Sequence, residues 1–192
     1  MLRKTYDWTM RLAATRYALA ALAVVSFLES SVFPIPPDVL LIPMVLARPR
    51  QAWLIAGVCT LASVAGGFAG YGIGLFLFEV VGQPILEVYG YLDRFEAFQA
   101  LYNEWGAWIV AAGGVTPIPY KVITIASGVT QLDPWVFGIA SVLSRGARFF
   151  LVAALLWAWG DPVRAFIERR LGLLVTLGFV LLLGGFLALK LL

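Results

Sequence analysis

Five charged side chains interrupt stretches of sequence that are otherwise apolar. They are Glu29, Asp38, Lys121, Arg145 and Arg148. A charge at membrane depth costs at least about 2.5 to 3.5 kcal/mol, so it persists only with a partner, with water or with a function. Three cations against two anions favour an anionic ligand. The two arginines lie three residues apart, hence on one helix face, where their guanidinium groups suit phosphate or carboxylate oxygens.

The two acids and the three bases predict different roles. Glu29 and Asp38 are candidates for proton exchange, because a carboxyl group in apolar surroundings is favoured in its neutral form. Lys121, Arg145 and Arg148 are candidate contacts for a phosphate-bearing group. A second interpretation stays open, in which the charges only neutralise one another as buried pairs, the two arginines with the two acids.

Composition places these charges in a membrane protein. Of 192 residues, 61% are hydrophobic and 13% are charged, whereas soluble domains carry about 25% charged residues. The sequence contains no histidine, which removes the Ser-His-Asp triad and the usual zinc ligand sets. The single cysteine, Cys59, lies in an apolar run without a basic neighbour that would activate it. We therefore expect no enzyme, no metal site and no cofactor.

Three segments are long enough to cross a hydrocarbon core, which needs about 20 apolar residues. Residues 51–78 and 171–189 carry no charge, and residues 134–158 carry only the two arginines. We predict transmembrane helices at 51–78, 134–158 and 171–191.

Two further apolar segments are interrupted by proline and are too short on either side to cross. They cover residues 17–47 and 105–130. Proline ends a helix and frees backbone groups that lipid cannot satisfy, which is tolerated only inside protein or beside a cavity. We predict a re-entrant hairpin in each segment. The predicted turn residues are Pro34, Pro36, Pro117, Pro119 and Gly128.

The two hairpin segments match in sequence. Residues 33–43 (FPIPPDVLLIP) align without a gap with residues 116–126 (TPIPYKVITIA), which sets Asp38 opposite Lys121. Each hairpin is followed by an apolar span that contains a Ser-Val pair, at 63 and at 141. This is an internal repeat with a period of about 80 residues. If the hairpin tips meet, Asp38 and Lys121 should approach each other.

One hairpin plus one crossing is an odd number of crossings, so the two copies must lie inverted in the membrane, as in secondary transporters. Basic residues dominate the N-terminal segment, residues 48–50 and residues 164–170, while acids dominate 79–104. The positive-inside rule makes the basic segments, including the N-terminus, cytoplasmic. The predicted fold is therefore all-α, with a transport domain at 17–160. Residues 1–16 form a predicted interfacial amphipathic helix, and 80–103 a second interfacial segment.

Three motifs resemble the DedA family, also called the VTT or SNARE-associated domain family, and within it the short YqaA-like branch. They are FLESSVFPIPPD at 27–38, SVAGGFAGYGIG at 63–74 and GGVTPIPYKVITIASG at 113–128. The resemblance implies two opposed re-entrant hairpins and movement of lipids across the bilayer. In bacterial members the implied cargo is undecaprenyl phosphate or phosphatidylethanolamine, linked to the proton gradient; eukaryotic relatives scramble phospholipids.

The family's functional positions carry over unevenly. Its membrane-embedded acids correspond to Glu29 and Asp38, and Pro117 matches the proline that a basic pair normally frames. Gly114 stands where the first arginine of that pair falls, and Lys121 lies only near the second. The departure shifts the expected basic role towards the arginines of residues 134–158.

These observations together predict a lipid flippase or scramblase, a multi-pass protein of the bacterial inner membrane. Its expected partner is a phospholipid or a polyprenyl phosphate, with no nucleic acid, and a homo-oligomer is left open. The alternative is a proton-coupled transporter of a small ion or solute that uses the same charges.

Overall fold

The computed structural model describes residues 17–32, 36–116, 119–160 and 162. Every regular element within those ranges is helical. The predicted interfacial helix at 1–16, the predicted span at 171–191 and the turn residues Pro34 and Pro117 lie outside the described residues.

The first half of the chain forms two short helices and a long one. Helix α1 spans Ala18–Ser31 and helix α2 spans Asp38–Ala47. A residue that precedes proline is disfavoured in the α region, which accounts for the break between them. A 3-10 turn, Pro49–Gln51, then leads into helix α3, Ala52–Leu77. We call α1 and α2 with their connection the first hairpin.

Helix α3 is extended by a π-helical segment, Phe78–Gly82, and by helix α4, Gln83–Tyr89. This run ends at Gly90, whose φ of 67° is left-handed and suits glycine. Helix α5 then spans Leu92–Val115 without interruption. Residues 80–89 of the predicted interfacial segment thus belong to the run that continues α3. Residues 92–103 share helix α5 with the first arm of the predicted second hairpin, because no proline falls between residues 92 and 115.

Helix α6, Tyr120–Val129, completes the second hairpin with α5, and helix α7 covers Pro134–Gly160. Among the described residues, two helical runs are long and apolar enough to cross a membrane: Pro49–Tyr89 and Pro134–Gly160, each with an 18-residue window whose mean hydropathy is 1.7. They contain the spans predicted at 51–78 and 134–158.

The two long helices α3 and α7 pack in opposite directions. Trp53 near the start of α3 stacks on Phe150 near the end of α7, with ring centroids 6.1 Å apart. Further along α3, Phe68 meets Phe137 near the start of α7, at 5.2 Å. Residues in the middle of one helix therefore face the middle of the other.

Apolar side chains form two cores at opposite ends of this pair. One core joins α1 and α2 to the start of α3 and the end of α7. Its members include Leu22, Leu41, Ile55 and Phe149. The other core joins α5 and α6 to the end of α3 and the start of α7. Its members include Tyr71, Val110, Tyr120 and Phe137. A layer of buried polar side chains lies between the two cores.

Glycines on α3 bring both hairpins against this helix. A Cβ at Gly66 would overlap the Phe27 carbonyl of α1, and one at Gly74 would overlap the Ile125 carbonyl of α6. Close backbone approach of this kind is what small residues allow in membrane helices. These glycines therefore make α3 a packing surface for both hairpins.

The sequence predicted that Gly128 lies in a turn, and this prediction was wrong. It falls in the last turn of α6, where a Cβ would overlap the Tyr71 carbonyl of α3. Gly128 allows α6 and α3 to pack closely because it lacks a side chain. Its backbone is helical, so the position does not depend on the wider range of φ angles that glycine can adopt.

Candidate functional site

The two hairpins meet end to end beside the middle of α3. Thr124 Oγ1 of α6 donates a hydrogen bond to the Ser30 carbonyl of α1 at 3.2 Å, and Lys121 Nζ donates to the Val32 carbonyl at 3.3 Å. The last carbonyls of a helix lack partners within the helix. The start of α6 therefore supplies donors that the end of α1 needs.

An ion pair between a buried arginine and a partly buried glutamate lies next to this junction. Arg145 Nη2 of α7 contacts Glu29 Oε2 of α1 at 2.7 Å, and the two side chains are 3% and 16% exposed. Arg145 Nε donates to Ser63 Oγ at 2.6 Å, and the Ser63 and Ser30 hydroxyls lie 2.7 Å apart. Ser30 Oγ in turn donates to Glu29 Oε2 at 3.2 Å. We call Arg145 and Glu29 the inner pair. The bonds through Ser63 and Ser30 close a ring around this pair, which we call the hydroxyl ring.

Aromatic rings flank the guanidinium of the inner pair. The Arg145 Cζ lies 4.8 Å from the centroid of Tyr120 and 4.7 Å from that of Phe149. At such distances a cation is attracted to the ring faces. The Tyr120 hydroxyl donates to Ser141 Oγ at 2.5 Å, which fixes the ring. Arg145 thus contacts the first hairpin through Glu29 and the second through Tyr120.

A second ion pair, the outer pair, lies one helical turn further along α7. Arg148 Nη2 contacts Asp38 Oδ2, at the first residue of α2, at 2.8 Å. The side chains are 29% and 21% exposed, so the outer pair is less enclosed by protein than the inner pair.

A family model described as the VTT domain matches residues 35–158. The chain belongs to the VTT domain family. An uncharacterized protein of Haemophilus influenzae is 43% identical over 155 residues, covering 81% of this chain and 80% of the relative. An uncharacterized protein of Histophilus somni is 43% identical over 154 residues, covering 80% of each. No solved structure matches the chain.

The five charges singled out in the sequence of this VTT-domain protein fall into two pairs and a single lysine. The pairing of the arginines with Glu29 and Asp38 is the one that the second interpretation of the sequence described. Asp38 was expected to approach Lys121, but it pairs with Arg148 of α7. Lys121 reaches a carbonyl instead, because α6 abuts α1 rather than α2. Its charge leaves the layer with a surplus of one positive charge.

Gly114, where the resemblance led us to expect an arginine, packs closely against α7. A Cβ at Gly114 would overlap Ser144 Oγ of α7, so no larger side chain fits while α5 and α7 stay in contact. The next residue of α7 is Arg145. At this level of the structure, the positive charge of the polar layer is therefore supplied by Arg145 of α7.

Sequence reasoning passed over four residues that complete the site: Ser30, Ser63, Tyr120 and Ser141. A signal was present, because Ser63 and Ser141 head the matching Ser-Val pairs of the two halves. Both serines are fully buried.

Proposed function

We propose that this VTT-domain membrane protein moves a lipid with a phosphate-bearing headgroup across the bacterial inner membrane. The cargo class comprises anionic or zwitterionic phospholipids and undecaprenyl phosphate. The observation that carries the proposal is the polar layer itself: two carboxylate–arginine pairs at the middle of two membrane-length helices, where both hairpins end.

In this proposal each hairpin enters the membrane and returns, and the two halves form an inverted repeat. The order of elements supports it, because a helix of 10 residues precedes a long helix in both halves: α2 before α3 and α6 before α7. The opposite directions of α3 and α7 are what inversion requires. The basic turn at Arg48 and Arg50 then faces the cytoplasm.

The cations Lys121, Arg145 and Arg148 provide the attraction for a phosphate at the level of the hairpin tips. Guanidinium groups bind phosphate oxygens in a bidentate manner and more strongly in a low dielectric. The hydrocarbon chains stay in the bilayer, against the exposed apolar side chains of α3 and α7. These include Leu61, Phe76, Ile139 and Leu143.

Glu29 and Asp38 link the cargo to protons in this proposal. Each carboxylate is balanced by an arginine. When a phosphate takes the arginine, the carboxylate loses its counter-ion. Uptake of a proton then accompanies binding of an anionic headgroup.

Reconstitution tests the proposal directly. The purified protein is placed in liposomes with labelled undecaprenyl phosphate or phosphatidylethanolamine, and transbilayer movement is followed with and without a pH gradient. We expect movement of one of these lipids, and its loss in Arg145→Ala. Dependence on the gradient separates a coupled transporter from a scramblase. Failure of well-folded protein to move either lipid, with ion or solute flux instead, would establish the small-solute transporter.

A further inference from the structure

The inner pair is surrounded by hydroxyl groups that the proposed transport does not by itself explain. Ser63 Oγ accepts from Arg145 Nε at 2.6 Å, so its own proton is free to donate to Ser30 Oγ, 2.7 Å away. The Ser30 proton then points to Glu29 Oε2. Each donor in this ring has one acceptor, and the ion pair between Glu29 and Arg145 closes the ring. Such a closed arrangement holds both charges in one orientation.

The opposite side of the same guanidinium is fixed from the second half of the chain. Tyr120 lies against the Arg145 guanidinium, and its hydroxyl donates to Ser141. Ser63 and Ser141 occupy matching places in the two halves of the sequence. The internal repeat therefore sets two equivalent serines around one arginine, one bonded to it directly and the other through a tyrosine.

Among the residues that the structure describes, the outer pair has no comparable support. Arg145 donates hydrogen bonds to Glu29 and Ser63, and two aromatic rings flank it. Within the same part of the chain, Arg148 is held by Asp38 alone, and it is about ten times as exposed, 29% against 3%. A headgroup that bound Arg145 would have to break the hydrogen-bonded ring of Arg145, Ser63, Ser30 and Glu29. A headgroup that bound Arg148 would displace only the Asp38 carboxylate.

We infer that Ser63 and Tyr120 are positioning residues that fix Arg145 as the link between the two hairpins, and that Arg148, not Arg145, contacts the lipid headgroup. This inference rests on the proposed lipid transport and divides its cations into two roles. Arg145 keeps the ends of α1 and α6 in the relative position that transport requires. Arg148 exchanges Asp38 for a phosphate.

Transport rate measured against the mole fraction of labelled lipid separates the two roles. We expect Ser63→Ala to lower the maximum rate about tenfold, the fold-change for about 1.4 kcal/mol, with an unchanged half-saturating lipid fraction. Tyr120→Phe keeps the ring, loses the bond to Ser141 and should show a smaller loss of the same kind. Arg148→Gln should instead raise the half-saturating fraction.

A matched control comes from the same helix. Thr60 lies one turn before Ser63, is also buried, and its hydroxyl donates to the Ala56 carbonyl of its own helix. Thr60→Val removes one buried hydroxyl, as Ser63→Ala does, and should leave both transport parameters near those of the wild type. The inference is overturned if Ser63→Ala matches Thr60→Val, or if it raises the half-saturating fraction as Arg148→Gln does.

Thermal unfolding in detergent tests the ring independently of transport. If Ser63 acts through the inner pair, Ser63→Ala should lower the Tm less in a Glu29→Gln background than in the wild type, since the two residues share one network. Additive shifts would overturn the positioning role. If the wild type moved no lipid, the transport proposal would fail, while this cycle would still decide whether Ser63 fixes Arg145.

Discussion

The inner and outer pairs contain the same chemical groups and join the same two parts of the molecule, yet their surroundings differ. The inner pair is buried, ringed by serines and flanked by two aromatic rings. The outer pair lies one turn away on α7 and is partly open. Desolvation makes a buried charge depend strongly on its partner, whereas an accessible pair contributes little to stability. Identical chemistry thus allows one pair to hold the fold and the other to exchange partners.

The largest expected effect comes from removing the arginine of the inner pair. Arg145→Ala leaves the partly buried Glu29 carboxylate, 16% exposed, without a counter-ion, which costs at most about 3 to 5 kcal/mol. We expect complete loss of lipid movement and a clearly lower Tm, with membrane insertion retained. Transport in liposomes and thermal unfolding in detergent measure both.

Arg148→Ala is the matched control, because it removes the same side chain one turn along the same helix. Its Tm should lie close to that of the wild type. If both variants lost stability equally, burial would not distinguish the two pairs, and the comparison would fail. If Arg145→Ala abolished expression altogether, the inner pair would be mainly structural.

The next effect compares the two acids as neutral isosteres. Glu29→Gln leaves Arg145, 3% exposed, without a charged partner, whereas Asp38→Asn does the same to Arg148, which is 29% exposed and less enclosed by protein. We therefore expect Glu29→Gln to lower the free energy of unfolding by roughly 2 kcal/mol more than Asp38→Asn. Chemical denaturation of the detergent-solubilised protein measures this difference.

The same two variants test proton coupling. If lipid movement follows the pH gradient in the wild type, Asp38→Asn should remove that dependence while some movement remains. Gradient dependence that survives in Asp38→Asn and disappears only in Glu29→Gln would assign the proton to the inner pair and reverse the roles of the two pairs.

Sequence reasoning reached much of this contrast but not all of it. Long apolar runs predicted the two long helices, because length and a low number of charges suffice for that inference. The rarity of charge in such runs also identified Lys121 and the four charged residues of the inner and outer pairs. Repeat symmetry alone, however, set Asp38 opposite Lys121, whereas α7 brings Arg148 to Asp38. Which helix face meets which depends on tertiary packing, and symmetry of sequence does not specify it.

The hydroxyl ring was harder still to predict. A serine in an apolar helix often bonds the carbonyl one turn back, as Thr60 does with Ala56. Only the position of Arg145 shows that Ser63 bonds across helices instead. The prediction for Gly128 failed for a related reason: a glycine can mark either a turn or a close contact between helices, and only the packing of α6 on α3 shows that it is the latter.

The smallest expected effect concerns salt. Exposed ion pairs are screened by ions in solution, while buried ones are screened much less. Raising the salt concentration from about 0.1 M to about 1 M shortens the Debye length from about 10 Å to about 3 Å. The contribution of the outer pair, about 0 to 1 kcal/mol, should therefore fall, while that of the inner pair should persist.

Double-mutant cycles on Tm, Asp38→Asn with Arg148→Gln and Glu29→Gln with Arg145→Gln, measure both contributions at each salt concentration. A headgroup phosphate competes for Arg148 in the same way that a salt anion does, so an outer pair that weakens in salt is one that a lipid can open. Equal salt dependence of the two cycles would mean that water reaches both pairs alike, and Arg145 would then be as accessible to a headgroup as Arg148.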